Sequence, residues 1–207
     1  MIHNYNEGVR GKAVEVIHRG GLIAFRTDTF YGLGVDPFNR VALQALRNLK
    51  GREEAKPILV LIADRADVDR FIEQRSSLFD RGAELYWPGP LTLVGQARKE
   101  LLEELTAGTR TIGIRLPNDT AVRDLVRACG GALTATSANP ARQPPARTAR
   151  EVANYFPGGI DLIINGGGVG EVEASTVLDV SDAEPRLIRE GAITKTDLMK
   201  RLSEIEK

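Results

Sequence analysis

Residues 20–34, GGLIAFRTDTFYGLG, decide how the chain is read. Residues 22–25 are an apolar run of strand length, cut off by Arg26 and by two hydroxyls flanking a carboxylate, Thr27, Asp28 and Thr29; an aromatic pair and Gly-Leu-Gly follow. A connection between a strand and a helix needs about two to six residues and one or two glycines. The polar insertion is therefore either an elaborate turn or part of a binding surface. If the strand continues through Thr29, its alternation sets both hydroxyls on one face and the Asp28 carboxylate on the other. Gly32 and Gly34 then let the backbone pass close to a neighbour with no side chain in the way.

Outward from this stretch, helical and extended periods alternate. Residues 6–18 read as a helix closed by Gly20 and Gly21. Asn39 caps a helix that stops at Gly51, residues 58–62 are a buried strand, Asp64 caps a helix to Ile72, and residues 78–87 form another, ended by Pro88-Gly89-Pro90. LTLVGQ, TIGIRLP and ALTATSANP are further strands, with helices near residues 99–105 and 120–128. After ARQPPART (residues 141–148) come a helix to Phe156, three successive strands in IDLIING, STVLDV and PRLIREG, and a last helix over residues 196–205. Three consecutive strands after an alternating pattern predict a twisted mixed β-sheet flanked by helices, an α/β class. No linker, repeat or low-complexity tract divides the 207 residues, so one domain over residues 1–207 is expected.

Composition narrows the chemistry. Lysine plus arginine and aspartate plus glutamate balance at 28 each, so any polyanion has to be met by a local basic groove. No apolar stretch approaches the roughly 20 residues that span a bilayer, and MIHNYNEGVR lacks the regions of a signal peptide; a cytoplasmic chain with no membrane partner is expected. Cys129 is alone, which excludes an internal disulfide and thiolate zinc cages, and AVRDLVRAC places it on the buried face of a helix. Only His3, near a terminus expected to fray, and His18, late on the first helix, are available, so mechanisms built on a histidine base have almost no parts. Lysine, arginine, hydroxyls and backbone amides remain, an inventory suited to neutralising phosphate and carboxylate.

Four further stretches carry such groups. NLKGREEAKP gathers Lys50, Arg52 and Lys56 at a helix end, where they are either a phosphate clamp or cations favoured by the helix dipole. Walker spacing and a complete G-x-G-x-x-G are both missing. TIGIRLP puts Thr111, Gly113 and Arg115 on one side of a strand and Ile112 and Ile114 on the other; Arg115 is posed either for a ligand carboxylate or for a structural ion pair. TATSANP ends a strand with Thr134, Thr136, Ser137 and Asn139, small donors that bind phosphate or ribose or cap the next turn. Ser175, Thr176 and Arg189 repeat the theme.

RTDTFYGLG, KGREEAKP, TIGIRLP, TSAN, STVLD and LIREGAI, in this order, resemble the YrdC-like family of threonylcarbamoyl-AMP synthases, over about residues 20–192. The resemblance implies a YrdC-like, double-stranded-RNA-binding-like fold with a concave basic cleft. It also implies an enzyme, a nucleotidyltransferase making threonylcarbamoyl-adenylate and pyrophosphate from ATP, L-threonine and bicarbonate, in a short form without an added C-terminal domain. The product then passes to tRNA through a threonylcarbamoyl-transferase complex. Carried over by position, Thr29, Arg115 and Ser175 contact threonine. Lys50 and Arg52, as the catalytic cations, join Ser137 and Asn139 around the triphosphate. Lys56, Thr111 and Arg189 are further nucleotide contacts, and Thr27 and Tyr31 shape the pocket. Magnesium is expected to arrive with ATP, and no protein metal site is expected.

The chain departs from the family pattern at Arg26 and Glu53, where prolines are usual, at Leu61, where some members have a histidine, and at Ala141-Arg142 after TSAN. A non-catalytic double-stranded RNA or tRNA-binding module using the same basic surface is the alternative, but such a module has no need for a converging Thr29, Arg115 and Ser175. A carbamoyl-adenylate enzyme of hydrogenase maturation is disfavoured by the lack of accessory domains, and a divergent paralogue of weak activity by intact KGR and SAN.

Overall fold

A computed structural model of the chain describes residues 2–51 and 57–203. Its strands form two mixed sheets flanked by helices, the α/β class expected. With elements numbered in chain order, the first sheet holds β1 (Ile2–Asn4), β2 (Ile23–Arg26), β3 (Tyr31–Gly34), β8 (Thr136–Ser137) and β9 (Leu162–Asn165), arranged β1-β9-β2-β3-β8. The second holds β4 (Val60–Ile62), β5 (Leu91–Gln96), β6 (Thr111–Arg115), β7 (Ala132–Thr134), β10 (Thr176–Asp179) and β11 (Arg186–Arg189), arranged β11-β10-β5-β6-β4-β7.

The capping signals hold. Asn6 accepts a hydrogen bond from Val9 N and opens α1 (Glu7–His18), and Asn39 accepts from Ala42 N and opens α2 (Arg40–Lys50). Ser76 opens α3 (Ser77–Tyr86) and Asp119 opens α5 (Thr120–Ala128), each by a side-chain oxygen on the third residue beyond. Three elements are shorter or tighter than expected: residues 65–70 form a 3₁₀ helix, α4 is the single turn Glu103–Thr106, and β4 begins only at Val60. Residues 2–4, where fraying was expected, form a strand. β1 pairs parallel with β9, setting His3 opposite Ile164. After α6 (Ala149–Tyr155), the three late strands appear as expected, and α7 (Lys195–Ser203) completes the described residues.

Period-two alternation divides the strands between two apolar clusters. Ala24, Ile163, Val60 and Ile62 enter one, with α2, α3, α6 and α7; Ile23, Phe25, Leu162, Ile164 and Leu61 enter the other, between α1 and α5. ALTATS, read as one strand, is two. Thr134 ends β7 with its Oγ1 accepting from Val35 N at 2.9 Å, and after Ala135 the chain pairs as β8 with β3 of the other sheet. This sheet change couples the two halves.

The opening stretch is also corrected. Arg26 stands opposite Tyr31 in an antiparallel β2–β3 pair, so Thr27–Phe30 is a hairpin tip and not a continuing strand. Thr27 Oγ1 donates to Phe30 O at 2.7 Å and accepts from Thr29 N and Phe30 N, closing the tip on itself. Gly34 permits the tight pairing: a Cβ there meets the Phe25 ring at 2.7 Å and Thr134 O at 3.2 Å. Tyr31 is fully buried, and its hydroxyl accepts from Gly166 N and donates to Gly167 O at 2.8 Å, fastening β3 to the loop after β9. Arg26, where the family pattern has proline, reaches Asp119 at 3.4 Å. No helix among the described residues is long and apolar enough to cross a membrane.

Cys129 caps α5 inside the second cluster, as expected, and burial pushes its thiol from about 9.0 up to about 12. Below pH 9 this neutral thiol contributes its full stability, which is lost as pH rises from 9 through 12, because only the unfolded thiol ionises in that window. A thiol reagent at pH 8 is expected to leave Cys129 unmodified in the folded protein and to modify it fully in guanidinium, as read by absorbance. Tyr31→Phe is expected to lower stability by about 1 kcal/mol in urea titration, since Gly166 N loses its acceptor.

Candidate functional site

A cleft of about 930 Å³ lies over one face of the second sheet. Its floor follows the alternation read from TIGIRLP: Thr111, Gly113 and Arg115 face the cleft, while Ile112 and Ile114 enter the core. Thr92 and Val94 of β5 and Val177 and Asp179 of β10 extend the same floor, with Leu91, Leu93 and Leu178 on its apolar underside. The hairpin tip, the end of α2 and β8 supply the walls.

At one end stands Arg115, only 2 % exposed. Its Nε donates to Gly89 O at 3.0 Å, its Nη1 to Thr29 Oγ1 at 3.2 Å, and its Nη2 is in ion-pair contact with the Asp28 carboxylate. Burial lowers its pKa from the ordinary value while Asp28 opposes that shift, and the group stays charged. Asp28 was expected on the face away from Thr27 and Thr29. The hairpin brings it to Arg115 instead, and its other oxygen accepts from Asn118 N at 3.2 Å. Thr27 and Thr29 hydroxyls touch at 3.1 Å, and both residues line the cleft.

Across the floor, Ser175 Oγ lies 3.0 Å from Thr92 Oγ1. Arg189 holds this corner, donating from Nε and Nη2 to Ser175 O at 3.1 and 2.8 Å and from Nη2 to Ser175 Oγ at 3.1 Å. Burial first, and then the like charge of Arg115, lowers the Arg189 pKa. Two guanidiniums that sense one another make this end of the cleft ready for an anion.

The third wall is built around Lys50, in the last turn of α2 and 7 % exposed. Its ammonium donates to Ser137 O and Asn139 O, both at 2.8 Å, and to Asn139 Oδ1 at 3.2 Å. Ser137 Oγ donates to Asn139 Oδ1 and the Asn139 amide nitrogen to Gln143 O, so the S-x-N element is tied into one network. Ser137 and Lys50 line the cleft. Asn139 does not; it serves Lys50 and the loop. Thr111 lies at the far end of the floor, its hydroxyl 2.9 Å from Thr109 Oγ1. Arg52 and Lys56, with Glu53, lie outside the described residues.

The cleft thus unites Thr27, Thr29 and Tyr31 from the hairpin with Lys50, Ser137, Thr111, Arg115, Ser175 and Arg189. Sequence reasoning missed Thr92, which the alternation of LTLVGQ marks, and the Gly89 carbonyl, which no side-chain pattern marks. Leu61 lines the cleft beside its strand neighbour Arg115 and is 1 % exposed, an apolar wall. Ala141 and Arg142 are exposed.

A family model for the Sua5/YciO/YrdC domain, described as telomere recombination, matches residues 15–191. A threonylcarbamoyl-AMP synthase of Mus musculus is 36 % identical over 86 % of this chain and 64 % of its own length. One of Bacillus subtilis is 33 % identical over 93 % of this chain and 56 % of its own. The chain therefore spans somewhat over half the length of these relatives. The crystal structure of P. abyssi Sua5 complexed with L-threonine superposes with a TM-score of 0.93 at 30 % identity, over 99 % of this chain and 61 % of that one. With six motifs in register, a matched domain and a shared fold, the chain belongs to the Sua5/YciO/YrdC family.

Proposed function

We propose that the cleft joins L-threonine, carbon dioxide or bicarbonate, and ATP into threonylcarbamoyl-adenylate and releases pyrophosphate, the adenylate serving a later transfer of its threonylcarbamoyl group to tRNA. The observation that carries this reading is the meeting of a buried Arg115–Thr29–Ser175 end with the Lys50–Ser137 wall in one cleft. The threonine held by the P. abyssi structure supports the choice of amino acid. Along β6, Arg115 and Thr111 are four residues apart, about 13 Å at strand spacing, which leaves room for an amino acid at one end and a nucleotide at the other.

In this reading the Arg115 fork holds the threonine carboxylate, with Thr29 and Ser175 beside it. The Asp28 carboxylate is turned to Arg115 and is not part of the cleft wall, and the Asp179 carboxylate, which is, accepts from Ser181 Oγ and Arg186 Nη2. The positive charge of Arg115 beside an amine favours its neutral, nucleophilic form. The amine nitrogen attacks carbon dioxide and loses a proton, giving a carbamate. A carbamate oxygen then attacks the α-phosphorus, and the bond to the bridging oxygen of pyrophosphate breaks.

The protein's task is to hold two anions together and to stabilise charge on the leaving group. Lys50 supplies positive charge at the wall and folds the loop that presents Ser137; Arg52, Lys56, Thr111 and Arg189 complete the nucleotide contacts. Among the described residues no cluster of three or more histidine, cysteine, aspartate or glutamate side chains can hold a metal ion. In this reading magnesium enters as part of the MgATP substrate.

The test is to incubate the pure protein with MgATP, bicarbonate and each amino acid in turn and to look for an acylated AMP by mass spectrometry. Threonine is expected to give threonylcarbamoyl-AMP, and no adduct with any amino acid refutes the proposal. Arg52→Ala is expected to lower threonine-dependent pyrophosphate release about a hundredfold, near 3 kcal/mol, with stability unchanged. Lys50→Ala is expected to lose both turnover and stability, since the Ser137 and Asn139 carbonyls lose their donor.

A further inference from the structure

The Arg115 guanidinium is held by acceptors from separate segments: Gly89 O before β5, Thr29 Oγ1 on the hairpin tip, and the Asp28 carboxylate beside it. A guanidinium carries five N–H groups in a rigid plane. Nε and Nη1 each donate to one of these acceptors, and Nη2 faces the Asp28 carboxylate as an ion pair. Thr29 and Arg115 line the cleft, while Asp28 stands behind the wall, its side chain 17 % exposed. Asp28 is itself held by Asn118 N, three residues past Arg115, so the carboxylate spans from the tip of the first sheet to the exit of β6 in the second.

An arginine side chain has four rotatable bonds, and besides the Gly89 carbonyl on Nε its fork is held only by the Thr29 hydroxyl on Nη1, itself a rotatable group. Fixing Nη2 from behind removes that freedom before substrate arrives, and preorganisation of this kind raises affinity without a new contact to the ligand. We propose that Asp28 is a positioning residue that sets the plane of the Arg115 fork for the carboxylate of the amino-acid substrate. The proposal rests on the function given above and deepens its account of the amino-acid end. A purely structural staple between the sheets predicts something different, a loss of stability with no selective effect on either substrate.

The test is titration calorimetry of L-threonine and of MgATP, separately, on the full chain, with circular dichroism reporting folding. Asp28→Asn is expected to weaken threonine binding about tenfold or more and to leave MgATP affinity within about twofold. Asp28→Glu, which keeps the charge, is expected to recover part of the loss. In an Arg115→Gln background, adding Asp28→Asn leaves neither charge of the pair without its partner, even if Asp28→Asn alone fails to fold, and is expected to cost no further threonine affinity. The inference is overturned by a further loss in that background, by equal weakening of both ligands, or by unchanged threonine affinity in folded Asp28→Asn. Wild-type protein that binds no threonine overturns the proposed function and this inference together, whereas wild-type binding with any of those three outcomes overturns the inference alone.

Discussion

A guanidinium buried to 2 % exposure cannot stand alone, and the way Arg115 is satisfied organises the cleft. Its strand belongs to the second sheet, whereas Asp28 and Thr29 belong to the hairpin of the first. The ion pair therefore joins the two sheets at one end of the cleft. Stranding one member of such a pair costs about 3–5 kcal/mol, yet a well-packed apolar replacement is often no less stable than the pair. Stability alone does not explain why charge is kept in this place. The proposed positioning role does, because a planar donor held by Gly89 O, Thr29 Oγ1 and the Asp28 charge has a defined orientation.

The rest of the cleft follows the same logic of donors set in advance. Arg189 clamps Ser175 through its backbone and its hydroxyl, and Lys50 gathers Ser137 and Asn139 around one ammonium. Each cation arranges a neutral hydroxyl that lines the cleft. In the proposed reaction, groups arranged before the ligands arrive need no reorganisation as charge develops. The floor between them is a sheet face, so its spacing is set by strand geometry and resists deformation.

Part of this was legible because it depends only on local period. TIGIRLP could be divided into a polar and an apolar face from sequence, and the structure keeps that division. Asn6 and Asn39 marked two helix starts for an equally local reason, a side-chain oxygen reaching an amide three residues on. ALTATS misled because an unbroken extended segment carries no sign of which neighbour it pairs with, and here the neighbour changes at Ala135. Residues 2–4 misled in the same way, since their strand exists only through β9, some 160 residues later in the chain.

Thr27–Phe30 separates the two kinds of information most clearly. Residue order alone determined the α/β class, the apolar undersides of the strands, the inert cysteine, and a stock of hydroxyls and cations suited to anions. Whether Asp28 faced away from those hydroxyls or backed the arginine among them was decided only by folding. A strand continuation and a hairpin tip share the same residues, and the choice between them is made by partners distant in the chain. The Gly89 carbonyl belongs wholly to that second kind, because a backbone acceptor leaves no signature in the side chains and becomes part of a site only when Arg115 arrives beside it.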